Sequence, residues 1–352
     1  MLKYLLIVVC ILFYGVQNLR AEPIRERQYA IGVSIPLTGH LSYIGGTIRN
    51  SIELARERYD EQGQIVFYLE DDAYNPRQTV SAVNKLILND KVGALITFGG
   101  PPSLAVADIA EQRNVPLIGI TISDGLTEGR EHVYRFFAPV KPQVELIIEE
   151  MKRRDYKSIA LLTVENDSLI SIKSTFKELS SLPVVMNEML SPADLDHRTL
   201  ALRVRSRNPS AVFFLGIPPH YSVFARQLRE IGYTGDFVGG PPMESRDELE
   251  AAGETLEGAW FPATSDTASA EFRKIYKERF SEDPHPHGIL AYDAAKILIE
   301  GALTGNTKSY LSVERTYSGL FGDYRLGEDR NFLLPVVLKQ IKDNEFSLLE
   351  RE

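Results

Sequence analysis

The chain has 352 residues, 44% of them apolar and 25% charged, with a formal charge of −9. That length suits two lobes better than one core, and the ordinary composition excludes a wholly disordered chain. A net acidic surface without a Lys/Arg cluster excludes nucleic-acid binding, which needs a basic face to displace counterions.

The first segment reads as an export signal. Met1-Leu2-Lys3 gives a positive start, residues 4–16 form a nearly unbroken apolar run, and a polar stretch through Arg20 and Ala21 follows. The run is shorter than the ~20 residues needed to span a bilayer, so residues 1–21 are expected to be a cleaved signal peptide and the rest periplasmic. An uncleaved anchor is the alternative, and large Leu19 is untidy for cleavage after Ala21. The single cysteine, Cys10, lies in this run behind Val8-Val9, a poor context for lipidation. The remaining chain then has no thiol for a disulfide, a zinc site or a nucleophile.

From Tyr29 to about Gly305, β-branched apolar runs alternate with helical patterns. Expected strands fall at 30–35, 65–69, 94–98, 116–120, 159–163, 211–215 and 237–239. Their unbroken apolar character suits strands covered on both faces of a parallel sheet. Residues 76–89 put Val80, Val83, Leu86 and Ile87 on one helical face, with Asn75 as N-cap and Pro76 at the first position. Residues 220–231 do the same with Val223, Phe224, Leu228 and Ile231. Strand–helix alternation on this scale implies α/β architecture with two doubly wound parallel-sheet lobes. The prolines of Phe137-Ala138-Pro139-Val140-Lys141-Pro142 make that stretch read as an extended crossing. Second and third crossings are expected at 261–264 and after Gly319. Lobe 1 is then 28–139 plus 264–320, and lobe 2 is 140–263 plus 321–350. Ligands of such lobes sit outside the carboxyl ends of the strands, in the cleft.

Three ordered stretches go beyond architecture. The first is Ile31-Gly32-Val33-Ser34-Ile35-Pro36-Leu37-Thr38-Gly39, followed by Gly45 and Ile52-Glu53-Leu54-Ala55. The second is Leu69-Glu70-Asp71-Asp72-Ala73-Tyr74-Asn75-Pro76-Arg77-Gln78, leading through Ala82 to Ile87. The third is Val92-Gly93-Ala94-Leu95-Ile96 with Ser103, then Asn114-Val115-Pro116-Leu117-Ile118. The chain thereby resembles the leucine/isoleucine/valine-binding branch of the type I periplasmic binding proteins, from about Tyr29 to its end. The resemblance implies a Venus-flytrap protein with three hinge crossings, expected to be monomeric, that hands a small-molecule ligand to a membrane ABC permease. A sensor or interaction subunit for a signalling receptor is the alternative.

The resemblance also places a site. Two turns of the first lobe are implied to grip a ligand carboxylate: Gly99, Gly100 and Ser103 in the first, and Thr121, Ile122 and Ser123 in the second. Glycine admits close backbone approach and a helix start offers N–H groups, although Pro101 and Pro102 remove two of them. Plain strand–helix connection, with Asp124 capping, is the structural alternative. Tyr43 stands where a pocket wall is implied. In the second lobe, Asn166 and Ser168 replace an implied aromatic, and Ile217-Pro218 replaces another. Met243-Glu244 falls where an acid for an α-ammonium is implied. Glu244 reads either as that acid or as a solvated helix-start residue. An apolar pocket without a free acid makes an aliphatic or aromatic carboxylate competitive with a branched amino acid, since an unpaired buried ammonium is costly.

Nothing in the sequence calls for catalysis, a cofactor or a metal. There is no Gly-x-Ser-x-Gly elbow, Walker A run or Gly-x-Gly-x-x-Gly after the first strand. His285-Pro286-His287 reads as a surface loop because of its prolines, Asp71-Asp72 as a structural pair, and Trp260 as hinge-side core.

Overall fold

The computed structural model describes residues 28–313 and 315–350, without the Asp124 side chain. The expected leader at 1–21, with Cys10, and the Asp124 cap lie outside the described residues.

The first lobe opens with β1 (Tyr29–Ile35), α1 (Ser42–Tyr59), β2 (Ile65–Asp71), α2 (Pro76–Leu88), β3 (Ala94–Phe98), α3 (Gly100–Gln112), β4 (Leu117–Ile120) and β5 (Val133–Arg135). The strands form a parallel sheet in the order β2-β1-β3-β4-β5. Strand alternation sorts side chains to two faces. Ile31, Val33, Ile35, Ile96 and Ile118 join one core, whereas Leu95 and Leu117 join Val83, Leu86 and Val106 in the other. At the head of α2, Asn75 accepts from the Arg77 and Gln78 amides and Pro76 is first in the helix, as its sequence predicts.

The second lobe runs through α4 (Val140–Arg153), β6 (Ile159–Val164), α5 (Asp167–Leu179), β7 (Val184–Leu190), α6 (Arg198–Arg207), β8 (Ala211–Leu215), α7 (His220–Glu230), β9 (Asp236–Gly239), α8 (Arg246–Ala252) and β10 (Trp260–Thr264). The chain then returns to the first lobe as α9 (Ala270–Phe280), α10 (Pro286–Leu303), α11 (Thr307–Ser312) and the small antiparallel sheet of β11 (Thr316–Gly319), β12 (Gly322–Leu326) and β13 (Phe332–Leu333). It ends with β14 (Val336–Lys342) and β15 (Glu345–Leu348), which extend the second sheet to the order β15-β14-β10-β9-β8-β6-β7.

Two expectations about the crossings change. The first crossing stops being extended at Pro139, and α4 starts at Val140. Pro142 then sits in the first helical turn, where a missing N–H breaks no intrahelical bond. Residues 321–334, expected in the second lobe, pack in the first core. Phe321, Tyr324 and Phe332 surround Phe136 at centroid distances of 6.3, 5.6 and 5.0 Å, and Leu334 is buried with them. The third crossing therefore lies beyond Leu334, and β14 leaves beside β10 in antiparallel register. Trp260 is fully buried in the second-lobe core, its indole N–H donating to Tyr156 at 3.2 Å.

Candidate functional site

Each sheet reverses its strand order once, between β1 and β3 in the first lobe and between β6 and β8 in the second. A crevice opens at such a switch point beyond the carboxyl ends of the strands. The two crevices face each other and enclose a cavity of about 360 Å³. Tyr43, Gly99, Gly100, Thr121, Ile122, Asn166, Ser168, Pro218 and Glu244 all line it.

The other three expected contacts do not reach its lining. Ser103 is fully buried and shares a 2.8 Å hydrogen bond with Thr97. Met243 is buried in the second-lobe core, folded back so far that a Cβ on Gly239 would lie 2.6 Å from its Sδ. Ser123 sits behind Gly100; its Oγ is buried and without a hydrogen-bond partner.

The polar equipment of the first lobe is sparse. Gly99 enters the helix at φ 85° and ψ 154°, a conformation open in practice to glycine alone. Because Pro101 and Pro102 lack N–H groups, Gly100 supplies the sole amide among the first three residues of α3. The Thr121 hydroxyl accepts the Ser123 amide at 3.1 Å, which leaves its proton free to donate toward the cavity. Across the cleft Asn166 caps α5, accepting from Ser168 and Leu169. Asp71 and Asp72 act structurally. Asp71 accepts from the Leu37, Thr38 and Ala73 amides, while Asp72 accepts from Ser34 and from the Tyr74 amide.

Much of the wall is apolar and aromatic. Ile217, beside Pro218, lines it as its sequence position implies, and Tyr74, Phe98, Phe137, Leu290 and Phe321 line it beyond the residues singled out from sequence. His285 and His287 line it as well, and are not a surface loop: Pro286 is the first residue of α10, and His285 is its N-cap. The signal was present, since proline at a first helical position is a start marker. The His285 Nδ1 accepts the His287 amide at 3.3 Å, so its proton is on Nε2, and the His287 Nδ1 donates to the same atom at 3.0 Å. Burial pushes the His285 imidazole down to about 4 and drives His287 down too, so both rings are neutral at pH 7. Among the described residues no cluster of His, Cys, Asp and Glu is fit to hold a metal ion, and no helix is long and apolar enough to cross a membrane.

Glu244 reaches the cavity, with a second acid, Asp266, that sequence reasoning missed. Neither is free. The Lys339 ammonium donates to Glu244 Oε1 at 2.6 Å and to Asp266 Oδ1 at 2.9 Å, and Arg273 pairs with the other Asp266 oxygen. Burial pushes the Asp266 carboxyl up, but Lys339 and Arg273 outweigh it and hold the group below its ordinary value. For Glu244 burial wins over Lys339 and the net direction is upward. Two cations face two acids, so the cluster adds no net charge to the cleft.

A family model described as periplasmic binding protein matches residues 28–320. The chain is 24% identical over 305 residues to the Leu/Ile/Val-binding protein BraC3 of Rhizobium johnstonii, an alignment covering 81% of this chain and 82% of that one. Its structure superposes with a TM-score of 0.82 on the branched-chain amino acid transporter substrate binding protein LivJ of Streptococcus pneumoniae in complex with isoleucine, at 20% identity, covering 91% of this chain and 98% of that one. It superposes equally well, with a TM-score of 0.81 and 22% identity, on a solute binding protein of an ABC transporter from Rhodopseudomonas palustris in complex with 3,4-dihydroxybenzoic acid, covering 93% and 97%. The structural likenesses share the two-lobed fold and its cleft, and the sequence match runs through most of both lobes: the chain belongs to the periplasmic binding protein family, with the type I fold.

Proposed function

We propose that this chain is an exported solute-binding protein whose cleft takes a small carboxylate with an apolar or aromatic body and no amino group, for delivery to an ABC permease. One observation carries the ligand class: both acids on the cavity wall are already neutralised by Lys339 and Arg273. A ligand ammonium would be stripped of water without gaining a net counter-charge, at a cost of several kcal/mol that hydrophobic contact returns only in part. A carboxylate fares better. The Gly100 amide and the Thr121 hydroxyl donate to it, while Tyr74, Phe98, Phe137 and Leu290 receive its body. Gly99, Gly100, Thr121, Ile122, Tyr43, Asn166, Ser168, Pro218 and Glu244 are the contacts this reading uses, and Ser103, Ser123 and Met243 support them from behind.

The two structural relatives solved with isoleucine and with 3,4-dihydroxybenzoic acid support the breadth of the fold, and the second supports an acid of this kind. Export and delivery to a permease rest on the family, and no enzymatic step is part of the reading. Among the described residues nothing favours the sensing alternative.

A thermal-shift screen of the purified protein against aliphatic acids, aromatic acids and amino acids tests the class. A ligand at 100 times its Kd adds about 2.7 kcal/mol of stability, an easily read shift. Shifts confined to amino acids would overturn the reading.

A further inference from the structure

The neutrality of Glu244 and Asp266 depends on a residue that does not line the cavity at all. Lys339 belongs to β14, in register with Phe261 of the hinge strand β10. It lines a neighbouring vestibule of about 780 Å³ and meets the two acids from that side. The acids line both spaces, so they form the partition between them. Arg273, from α9, is spent on Asp266. Lys339 is thus the only cation in the cluster that touches Glu244, and its side chain is 9% exposed.

We propose that Lys339 is an internal counter-ion standing in for a ligand's ammonium, and that it determines the cleft's preference for acids over amino acids. This rests on the ligand class inferred above. An ammonium is a compact point charge with three donors, and Lys339 places two of them on acids that a ligand amine would otherwise use. Remove it, and the partition carries one uncompensated negative charge facing the cavity. A cation from the ligand can then restore the balance from the cavity side. Lys339 acts through Glu244 and Asp266 without touching the ligand, so its signature is a change in selectivity.

The test compares 4-methylpentanoate with L-leucine, which differ only by the amino group, by titration calorimetry on the wild type and on Lys339→Met. The variant is expected to bind leucine at least about tenfold more tightly than the wild type, the scale of supplying one partially buried charge with a partner. Its acid-to-leucine preference falls by a similar factor. Lys339→Arg keeps the charge and the wild-type preference. The double variant Lys339→Met/Glu244→Gln removes the surplus acid and loses the gained leucine binding. Should Lys339→Met not fold, Lys339→Gln carries the same prediction, being uncharged yet able to hydrogen-bond both acids. A folded, uncharged variant with no gain in leucine binding overturns the role of Lys339. A wild type that already prefers leucine overturns the ligand class itself, so the two failures are distinguishable.

Discussion

Tyr74 packs across the backbone of Gly99, so that a Cβ on Gly99 would collide with the Cε2 edge of its ring. Both residues line the cavity, and the Tyr74 ring leans on Phe98 with centroids 5.9 Å apart. Gly99→Ala therefore meets two costs, a glycine-only backbone conformation and a displaced aromatic wall. The strain alone is worth about 1–3 kcal/mol. Denaturant melts are expected to show that loss, and ligand affinity should fall with it. Adding Tyr74→Ala relieves the clash but leaves the backbone strain, so stability recovers only in part.

Gly45 is constrained more severely. Any Cβ there would run into the Pro36 carbonyl, main chain that cannot rotate away. Gly45→Ala is expected to destabilise by more than the roughly 0.4–1 kcal/mol that the same change gains where there is room for a Cβ, because the turn after β1 must move. Gly46, with open space around its Cβ position, is the matched control. Equal melting temperatures for the two alanine variants would refute the argument.

Much of the fold was legible because the parallel strands are apolar on both faces. Segments 94–98 and 211–215 match β3 and β8 residue for residue. β7 carries no continuous buried run to read, because it is a sheet edge in which Met186 alone is buried. No local pattern marks the crossing after Leu334, because the residue that holds Phe332 in the first lobe, Phe136, lies almost two hundred residues earlier. The same holds for the site. Glu244 could be named from sequence, but Lys339 and Asp266 are tied to it only by folding. The prolines around His285 and His287 give them the look of a surface loop in sequence, whereas Pro286 in the first position of α10 begins a helix.

Asp293 gives a pH signature of the first lobe. It accepts the Leu320 amide at 2.8 Å and the Tyr324 hydroxyl at 3.3 Å, yet burial pushes its carboxyl up to about 6. A carboxyl raised in the folded state binds its proton more tightly there than when unfolded. Its contribution is complete below about pH 4 and disappears as pH rises through 6. Asp293→Asn should thus gain on the wild type between pH 4 and pH 7, by about 2–3 kcal/mol. A constant difference across that range would contradict it.

His285 works in the opposite sense. Held neutral down to about pH 4, it takes up a proton more readily when the chain unfolds. The fold keeps this contribution above the ordinary histidine value of 6.5 and loses it as pH falls toward 4. The ring faces Tyr43 and His287, neither of which offers a negative charge at those pH values. His285→Gln is expected to lose about 2–3 kcal/mol less than the wild type over that window. Parallel curves would place the acid sensitivity elsewhere, for instance at the buried pair His197 and His220.

A cleft whose acids are already paired has no place for an amine, and this preference can be read directly. Its most direct measurement is calorimetric titration of the wild-type protein with 4-methylpentanoate and L-leucine under the same conditions. The acid is expected to bind at least about tenfold more tightly, since one unpaired charge outweighs the remaining contacts. Leucine binding as tightly as the acid, or more tightly, would contradict it.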